Sequence, residues 1–237
     1  MVKRKILLVA ANPAVSTTLG WPVGFWASEL THPWYEFREA GYEMTIASPE
    51  GGRIVRDPMS DPRDASGHSA HDILSRGFFE TPSCAALLES TQAVGGIAPA
   101  EFDALLFCGG QAPMFTFRGD TRLQGLARAF HEAGKPVAAL CHGVAALIDV
   151  QLGDGFYLIA GKTMTGFANA EEDMADAMVG QRIMPWRIED AARERGANYV
   201  MAGAWRPCAV RDGLLITGQQ QNSGAKTARL VIEALGV

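Results

Sequence analysis

Short, continuous apolar runs alternate along the chain with longer segments in which apolar positions recur at helical spacing. Strands buried on both faces give such continuous runs, which predict strands at residues 5–10, 44–48, 102–108 and 135–141. Because helical segments lie between these runs, the pattern predicts an α/β fold with a mostly parallel sheet and helices on both faces.

Five segments have apolar positions at helical spacing, and each predicts a helix: residues 24–40, 82–92, 120–134, 185–196 and 223–237. Asp120 is a favourable N-cap for the third of these helices. Residues 161–167 predict a further short strand. Two short apolar runs flank Asp212 and Gly213, a pair that is typical of a hairpin turn.

Residues 51–75 interrupt this pattern. They contain Pro58, Pro62 and Gly67 among many Asp and Ser residues, a composition that is typical of an irregular loop. No linker or internal repeat divides the rest of the chain, and 237 residues suit one large domain. We therefore expect a single domain over residues 1–237, with a loop insertion at 51–75.

Composition argues against several classes of protein. Apolar residues make up 48% of the chain, and the net charge is −5, with no stripe of Lys and Arg that would bind nucleic acid. No apolar run approaches the roughly 20 residues of a membrane span, and the run after Lys5 is too short for a signal peptide. The four cysteines have no metal-ligand spacing and indicate free thiols. We expect a cytoplasmic protein with no nucleic-acid or membrane partner.

Cys141 lies between a buried strand and a second apolar run that predicts a helix, in the stretch PVAALCHGVAAL. A sharp strand-to-helix turn holds its central residue in a cramped conformation and lifts the side chain out of the sheet. The first N–H groups of the new helix would favour the thiolate, which is the reactive form of cysteine. The position therefore predicts an exposed nucleophile with a lowered pKa.

Neighbouring residues suit the same chemistry. His142 follows Cys141, and histidine is the commonest general base, although a histidine that caps a helix would look the same in sequence. Gly109 and Gly110 end the strand over residues 102–108. Because ligands of parallel sheets bind beyond the carboxyl ends of the strands, we expect these glycines and Cys141 to lie at the same edge.

Other candidate residues are less informative. Cys84, Cys108 and Cys208 have no comparable setting, and we expect them to behave as small hydrophobic residues. His68 and His71 lie in the predicted loop without tight ligand spacing, so we predict no metal site. The glycine patterns of nucleotide-binding loops are missing from the sequence.

Five motifs together resemble the ThiJ/PfpI superfamily, the class I glutamine-amidotransferase-like proteins: SELTHPWYEF, ASPEGG, FCGG, AALCHG and GKTMTGFANAEE. The resemblance covers nearly the whole chain. It is strongest to the branch that holds the glutathione-independent glyoxalases (glyoxalase III) and heat-shock chaperone relatives. It implies a flavodoxin-like three-layer sandwich, a homodimer and no cofactor.

The resemblance also implies a Cys-His-acid site with a glutamate beside the thiol. Cys141 and His142 take the first two roles, and Glu29 is the neighbouring glutamate. Glu172 best matches the triad acid and Glu171 is the fallback, although either could be only an acidic first turn of a helix. The backbone N–H of His142 and the first glycine turn would hold the oxyanion and substrate. The residues of that turn are Gly109, Gly110 and Gln111.

The chain departs from the branch at two segments that are expected near the rim of the pocket. Many members read Gly-Gly-His-Gly where this chain has Gly109-Gly110-Gln111-Ala112. The C-terminal turn often reads Gly-Gln-Asn-Pro, and here residues 218–221 read Gly-Gln-Gln-Gln. Both departures bear on the choice of substrate.

The resemblance implies a glyoxalase III-like enzyme that converts methylglyoxal, or a related small 2-oxoaldehyde, to a 2-hydroxy acid through a hemithioacetal on Cys141. Two alternatives stay open. One is another cysteine-dependent enzyme, such as a hydrolase, a deglycase or an amidotransferase-like enzyme. The other is a stress-response holdase chaperone, or a redox sensor in which Cys141 is oxidised. A broad exposed apolar patch would favour a holdase, and a deep polar pocket would favour an enzyme.

Overall fold

A computed structural model describes residues 3–236 of the chain. Its strands, in chain order, are β1 Lys5–Val9, β2 Ala14–Val15, β3 Pro22–Val23, β4 Glu43–Ser48, β5 Gln92–Ala93, β6 Ala104–Phe107, β7 Val137–Leu140, β8 Thr163–Met164, β9 Asn198–Tyr199, β10 Ala209–Asp212 and β11 Leu215–Gly218. Its α-helices are α1 Ala27–Glu39, α2 Ile73–Glu80, α3 Pro82–Ala85, α4 Pro113–Thr116, α5 Thr121–Glu132, α6 Asn169–Val179, α7 Ile188–Glu194 and α8 Gly224–Ala234. The predicted last helix extends to Val237, which lies outside the described residues.

Within residues 3–236 the main sheet has seven strands, in the order β10-β11-β7-β6-β1-β4-β5. Neighbouring strands pair in parallel, except that β10 and β11 form the antiparallel hairpin predicted around Asp212 and Gly213. The strands β6 and β7 are neighbours, so the Gly109-Gly110 turn and Cys141 leave the sheet side by side at the same edge. The mostly parallel α/β sheet predicted from the sequence is confirmed.

Two separate apolar cores cover the two faces of this sheet. Ile6 and Leu8 of β1 belong to one core, and Leu7 and Val9 belong to the other, because successive residues of a strand point to opposite faces. Helices α1, α2 and α8 contribute buried residues to the first core, and α5 and α7 contribute to the second. The result is the predicted three-layer sandwich. Within the described residues, none of the helices has the length and apolar character needed to cross a bilayer.

Two sequence-based boundaries were wrong. The helix predicted over residues 82–92 is only α3 and a 3₁₀ turn over Ala86–Leu88, because residues 92 and 93 pair with the end of β4 as an edge strand. The predicted loop of residues 51–75 includes a 3₁₀ turn over Pro58–Ser60 and ends early, at Asp72. The Asp72 carboxylate accepts a hydrogen bond from the Ser75 N–H and so caps α2 at its start.

The segment after β7 also differs from the prediction. Residues Cys141–Ala146 form a 3₁₀ helix instead of the α-helix that the second apolar run predicts. This turn packs directly onto the end of β6. A Cβ atom on Gly143 would lie 2.6 Å from the carbonyl oxygen of Phe107 and 2.8 Å from that of Cys108. The turn can therefore approach the sheet only with glycine at this position.

We predict that Gly143→Ala lowers the free energy of unfolding by about 2 kcal/mol, since the new methyl group meets backbone atoms that cannot move aside. Gly125 is the matched control, because it is exposed in the middle of α5 with nothing within 4 Å of an added Cβ. There the same change should raise stability by about 0.5–1 kcal/mol. Urea denaturation measures both, and a Gly143→Ala protein as stable as wild type would contradict the close packing.

Candidate active site

Cys141 lies at the sharp turn that follows β7. Its φ of 57° is in the left-handed region, which non-glycine residues rarely occupy and which costs roughly 1–3 kcal/mol. The structure thus has the cramped backbone that the sequence predicts. The residue is only 3% exposed, so the predicted exposure is wrong, but its side chain lines a cavity of about 740 Å³. Substrate could reach the sulfur through that cavity.

Glu29 lies in the first turn of α1 and is completely buried beside the thiol. Among residues 3–236, neither of its carboxyl oxygens has a hydrogen-bond partner at an ordinary distance and angle. The two side chains meet over Gly109, where a Cβ would collide with the Glu29 carboxyl and lie 2.8 Å from the Cys141 Cβ. Burial raises the pKa of Glu29 well above its ordinary value of 4.5, against the smaller opposing effects of the Cys141 thiol and the Gly109 N–H, and so favours the protonated carboxyl group.

The thiolate predicted for Cys141 is not what this environment favours. Burial raises the pKa of the Cys141 thiol well above its ordinary value, and the neighbouring Glu29 carboxyl raises it further. The backbone N–H of His142 opposes this shift, but its effect is smaller than those of burial and of Glu29. Reaction at Cys141 therefore needs a base that removes the thiol proton when substrate is bound.

His142 is positioned to be that base. Its Nδ1 lies 3.7 Å from the Cys141 Sγ, and its Nε2 lies 2.9 Å from Oε1 of Glu172. Both His142 and Glu172 are buried. The imidazole ring also packs against Phe167, with 4.3 Å between ring centroids. The structure thus brings together a thiol, an imidazole and a carboxyl group in the order of a nucleophile–base–acid triad.

Glu171, the alternative acid, forms its hydrogen bonds with groups other than His142. Its carboxylate accepts hydrogen bonds from the backbone N–H of Ala168, the backbone N–H of Trp205 and the side-chain amide of Gln219. These contacts fasten the first turn of α6 to the loop that carries Trp205. Glu171 is therefore a structural carboxylate, and Glu172 is the acid that contacts His142.

The first glycine turn is built around close backbone contacts. Gly110 has a φ of 116°, and a Cβ there would lie 2.6 Å from the carbonyl carbon of Phe25. Its neighbour Gln111 is held from both sides, since its N–H donates to Asp57 and its side-chain oxygen accepts from the Trp21 indole. The Gln111 N–H is thus already engaged, and the role of this turn in binding oxyanion and substrate stays a prediction.

Asp57 is a residue that the sequence analysis missed. It is completely buried, and its two carboxyl oxygens accept from the N–H groups of Gly24 and Gln111, each at 2.8 Å. Burial raises its pKa to about 7 in spite of these bonds. Asp57 ties the inserted segment to the glycine turn. In sequence it resembles any solvated acid of a Pro-rich loop, so no local signal identifies it.

The cavity combines a polar base with apolar walls. Glu29, Gly110, Cys141, His142 and Glu172 line its base region. The walls come from α1, from the inserted segment with Met59 and His68, from α6 and from the Trp205 loop. Within the described residues, no three His, Cys, Asp or Glu side chains converge as metal ligands, and the absence of a metal or cofactor stays a prediction.

The chain is similar over nearly its whole length to proteins of one known family. A family model described as the DJ-1/PfpI family matches residues 21–234. Glyoxalase 3 of Candida albicans is 30% identical over 99% of this chain and 98% of its own length. The glutathione-independent glyoxalase HSP31 of Saccharomyces cerevisiae is 28% identical over 99% of each chain. The crystal structure of the Rapid Encystment Protein of Francisella tularensis superposes with a TM-score of 0.89 at 28% identity, over 99% of this chain and all of the other. The resemblance stated from the motifs is thereby confirmed.

We predict that Glu29 makes stability depend on pH. A buried acid with a raised pKa stabilises the fold fully below its unfolded pKa, and this contribution is lost as pH rises through the folded pKa. Glu29→Gln stays neutral, so the variant should gain stability relative to wild type as pH rises from about 5 to 8, by up to about 1.4 kcal/mol per pH unit.

Urea denaturation of wild type and Glu29→Gln between about pH 5 and 8 measures this difference in the free energy of unfolding. Glu39→Gln on the exposed part of the same helix is the control and should follow wild type. If the free energy of unfolding changed with pH in the same way for wild type and Glu29→Gln, burial would not hold the proton on Glu29.

Proposed function

Since the chain belongs to the DJ-1/PfpI family, we propose that it is a glutathione-independent glyoxalase, which converts methylglyoxal or a related 2-oxoaldehyde to a 2-hydroxy acid. One observation carries the proposal. The Cys141 sulfur lies at a cavity, with the buried Glu29 carboxyl on one side and the His142–Glu172 pair on the other. Full-length similarity to proteins named glyoxalases in two yeasts supports the same reaction.

The first step in the proposed mechanism is addition of the Cys141 sulfur to the aldehyde carbon. His142 takes the thiol proton through Nδ1, and Glu172 at Nε2 stabilises the imidazolium that forms. The new C–S bond turns the aldehyde oxygen into an oxyanion, which takes a proton to give the hemithioacetal. The N–H groups of Gly110 and His142 would hold that oxygen, a contact worth roughly 3–4 kcal/mol per donor in other enzymes.

The second step moves a proton between the two substrate carbons. A base removes the proton from the carbon bonded to sulfur, and the adjacent ketone takes a proton, which gives an enediol. Return of a proton to the second carbon, with loss of the hydroxyl proton from the carbon bonded to sulfur, then leaves a thioester on Cys141. Glu29 is suited to this shuttle because its carboxyl group is buried, has no fixed hydrogen-bond partner and lies against the thiol.

The last step is hydrolysis. Water attacks the thioester carbon, the C–S bond breaks and the 2-hydroxy acid leaves, while the sulfur regains its proton. The sum is one 2-oxoaldehyde and one water converted to one 2-hydroxy acid, with no external oxidant or reductant. His142, with its Glu172 partner, is placed to activate that water.

A second candidate function rests on a different observation. Ile73, Met174 and Met178 at the mouth of the cavity are 78%, 50% and 73% exposed, and such surfaces bind unfolded chains. A holdase of this kind would prevent aggregation of a client protein without Cys141. A redox sensor is less well supported, since sensor thiols have low pKa values and the pKa of Cys141 is raised by burial.

We also propose that the protein is a cytoplasmic homodimer, as the family resemblance implies. Sedimentation equilibrium measures the mass in solution. A mass of one chain across the micromolar range would contradict this part of the proposal.

We predict that the purified protein forms lactate from methylglyoxal without added glutathione. Cys141→Ser should lower kcat/KM by about 10³-fold or more, since no comparable nucleophile remains. Glu29→Gln should cost about 10²–10⁴-fold with the fold intact, because the proton shuttle is lost. Enzymatic determination of lactate, with circular dichroism to check folding, measures these effects.

Cys208→Ser is the matched control for the thiol. Cys208 is only half-buried, and it is outside the cavity lining. This variant should keep wild-type turnover. Equal rates for wild type and Cys141→Ser, or no lactate from either, would refute the glyoxalase proposal.

A further inference from the structure

The cavity above Cys141 is much larger than methylglyoxal requires. Methylglyoxal carries only a methyl group beside its two carbonyl groups. The cavity has about 740 Å³, within the range of roughly 300–1,000 Å³ that holds drug-sized ligands. A methylglyoxal molecule bound to the sulfur would leave most of this volume filled by water against apolar walls. The site therefore has room for a substituent well beyond a methyl group.

The walls of the cavity are apolar and aromatic. Six large apolar side chains line it: Trp21, Trp26, Met59, Phe167, Met184 and Trp205. Among the described residues that line the cavity there is no Lys or Arg, whereas Glu29, Asp72 and Glu172 are acidic. His32, His68 and His71 also line it, and His32 is paired with Asp72. The lining therefore holds no permanent positive charge to balance a phosphate or carboxylate on the substrate, and it favours an uncharged substituent.

Part of the aromatic wall begins at the catalytic base itself. Phe167 packs on the ring of His142 at 4.3 Å, and Trp205 meets Phe167 edge-on at 5.8 Å. Trp205 is fixed in place, with a φ of 61° in the left-handed region and its N–H donated to the buried Glu171. Its carbonyl accepts from Asn222. Such a preorganised wall suits a flat ring attached to the reacting carbonyl.

The mouth of the cavity is also apolar. Ile73 at the start of α2 and Met174 and Met178 on α6 line it and are largely exposed. Methionine side chains adapt to varied apolar shapes, so this rim can accept substituents of different length. An apolar surface therefore continues from the aromatic wall of the cavity to its mouth.

We propose that this site prefers 2-oxoaldehydes that carry a large uncharged apolar substituent, aryl groups above all, over methylglyoxal. The inference rests on the proposed glyoxalase function and specifies its substrate class. The reaction is unchanged: sulfur adds to the aldehyde carbon, the proton moves to the adjacent carbon and water releases the acid, so phenylglyoxal gives mandelate.

The direct test compares kcat/KM of the wild-type protein for methylglyoxal, phenylglyoxal and 4-carboxyphenylglyoxal, each corrected for its unhydrated aldehyde fraction. Burial of each CH₂-sized group in an apolar site gives about 3- to 4-fold. We therefore expect kcat/KM for phenylglyoxal at least tenfold above that for methylglyoxal, and a loss of at least tenfold when the carboxylate is added.

A variant pair tests whether the cavity wall causes the preference. Ala175 lies one turn after Glu172 on α6, is half-buried and lines the cavity. Ala175→Phe would fill the space above the base and should lower kcat/KM for phenylglyoxal at least tenfold more than that for methylglyoxal. Ala177 is exposed on the same helix and does not line the cavity. Ala177→Phe should therefore leave the ratio of kcat/KM for phenylglyoxal to kcat/KM for methylglyoxal unchanged.

The outcomes separate the two levels of the proposal. Lactate formation with a phenylglyoxal preference below twofold would overturn the substrate inference and leave the glyoxalase function standing. No product from any of the three aldehydes would overturn the function, and the inference with it. The comparison of substrates on the wild-type protein decides the matter even if Ala175→Phe does not fold.

Discussion

The site depends on one contact, the approach of the buried Glu29 carboxyl to the Cys141 thiol. Three constraints produce it. Cys141 adopts a left-handed backbone conformation at the end of β7, Gly109 leaves no side chain between the two groups, and Gly143 lets the next turn pack on β6. Each constraint carries a conformational or packing cost. A buried carboxyl group without a hydrogen-bond partner, such as that of Glu29, lowers stability, so stability alone does not explain its presence beside Cys141.

This contact changes how the thiol can work. In many cysteine enzymes helix dipoles lower the thiol pKa before substrate arrives, whereas here burial raises the pKa of both Cys141 and Glu29. Burial thus favours the protonated form of both groups, and in the proposed mechanism His142, oriented by Glu172, removes the thiol proton during the reaction. In the proposed mechanism a protonated Glu29 can then donate its proton beside the carbons between which the isomerisation step moves a proton.

The sequence predicted the sheet and the thiol position because both follow from local patterns. Buried strands read as continuous apolar runs, and a Cys-His-Gly stretch after such a run marks a turn at the sheet edge. It could not predict the 3₁₀ turn over Cys141–Ala146, since tertiary packing on β6 decides that geometry. The same holds for Asp57, whose role exists only because a remote segment folds back onto the glycine turn. Glu171 and Glu172 are adjacent in sequence, and only their contacts separate a structural from a chemical role.

The protonation state of Glu29 tests this account most directly. Infrared difference spectra of wild type minus Glu29→Gln at neutral pH report the carboxyl group itself. The account predicts a band from a protonated carboxyl group that is missing in the variant and shifts when Cys141 is replaced by Ser, since the sulfur is its neighbour. The account would be contradicted by a spectrum with only ionised carboxylate bands for Glu29, or by a carboxyl band whose position is the same in wild type and Cys141→Ser.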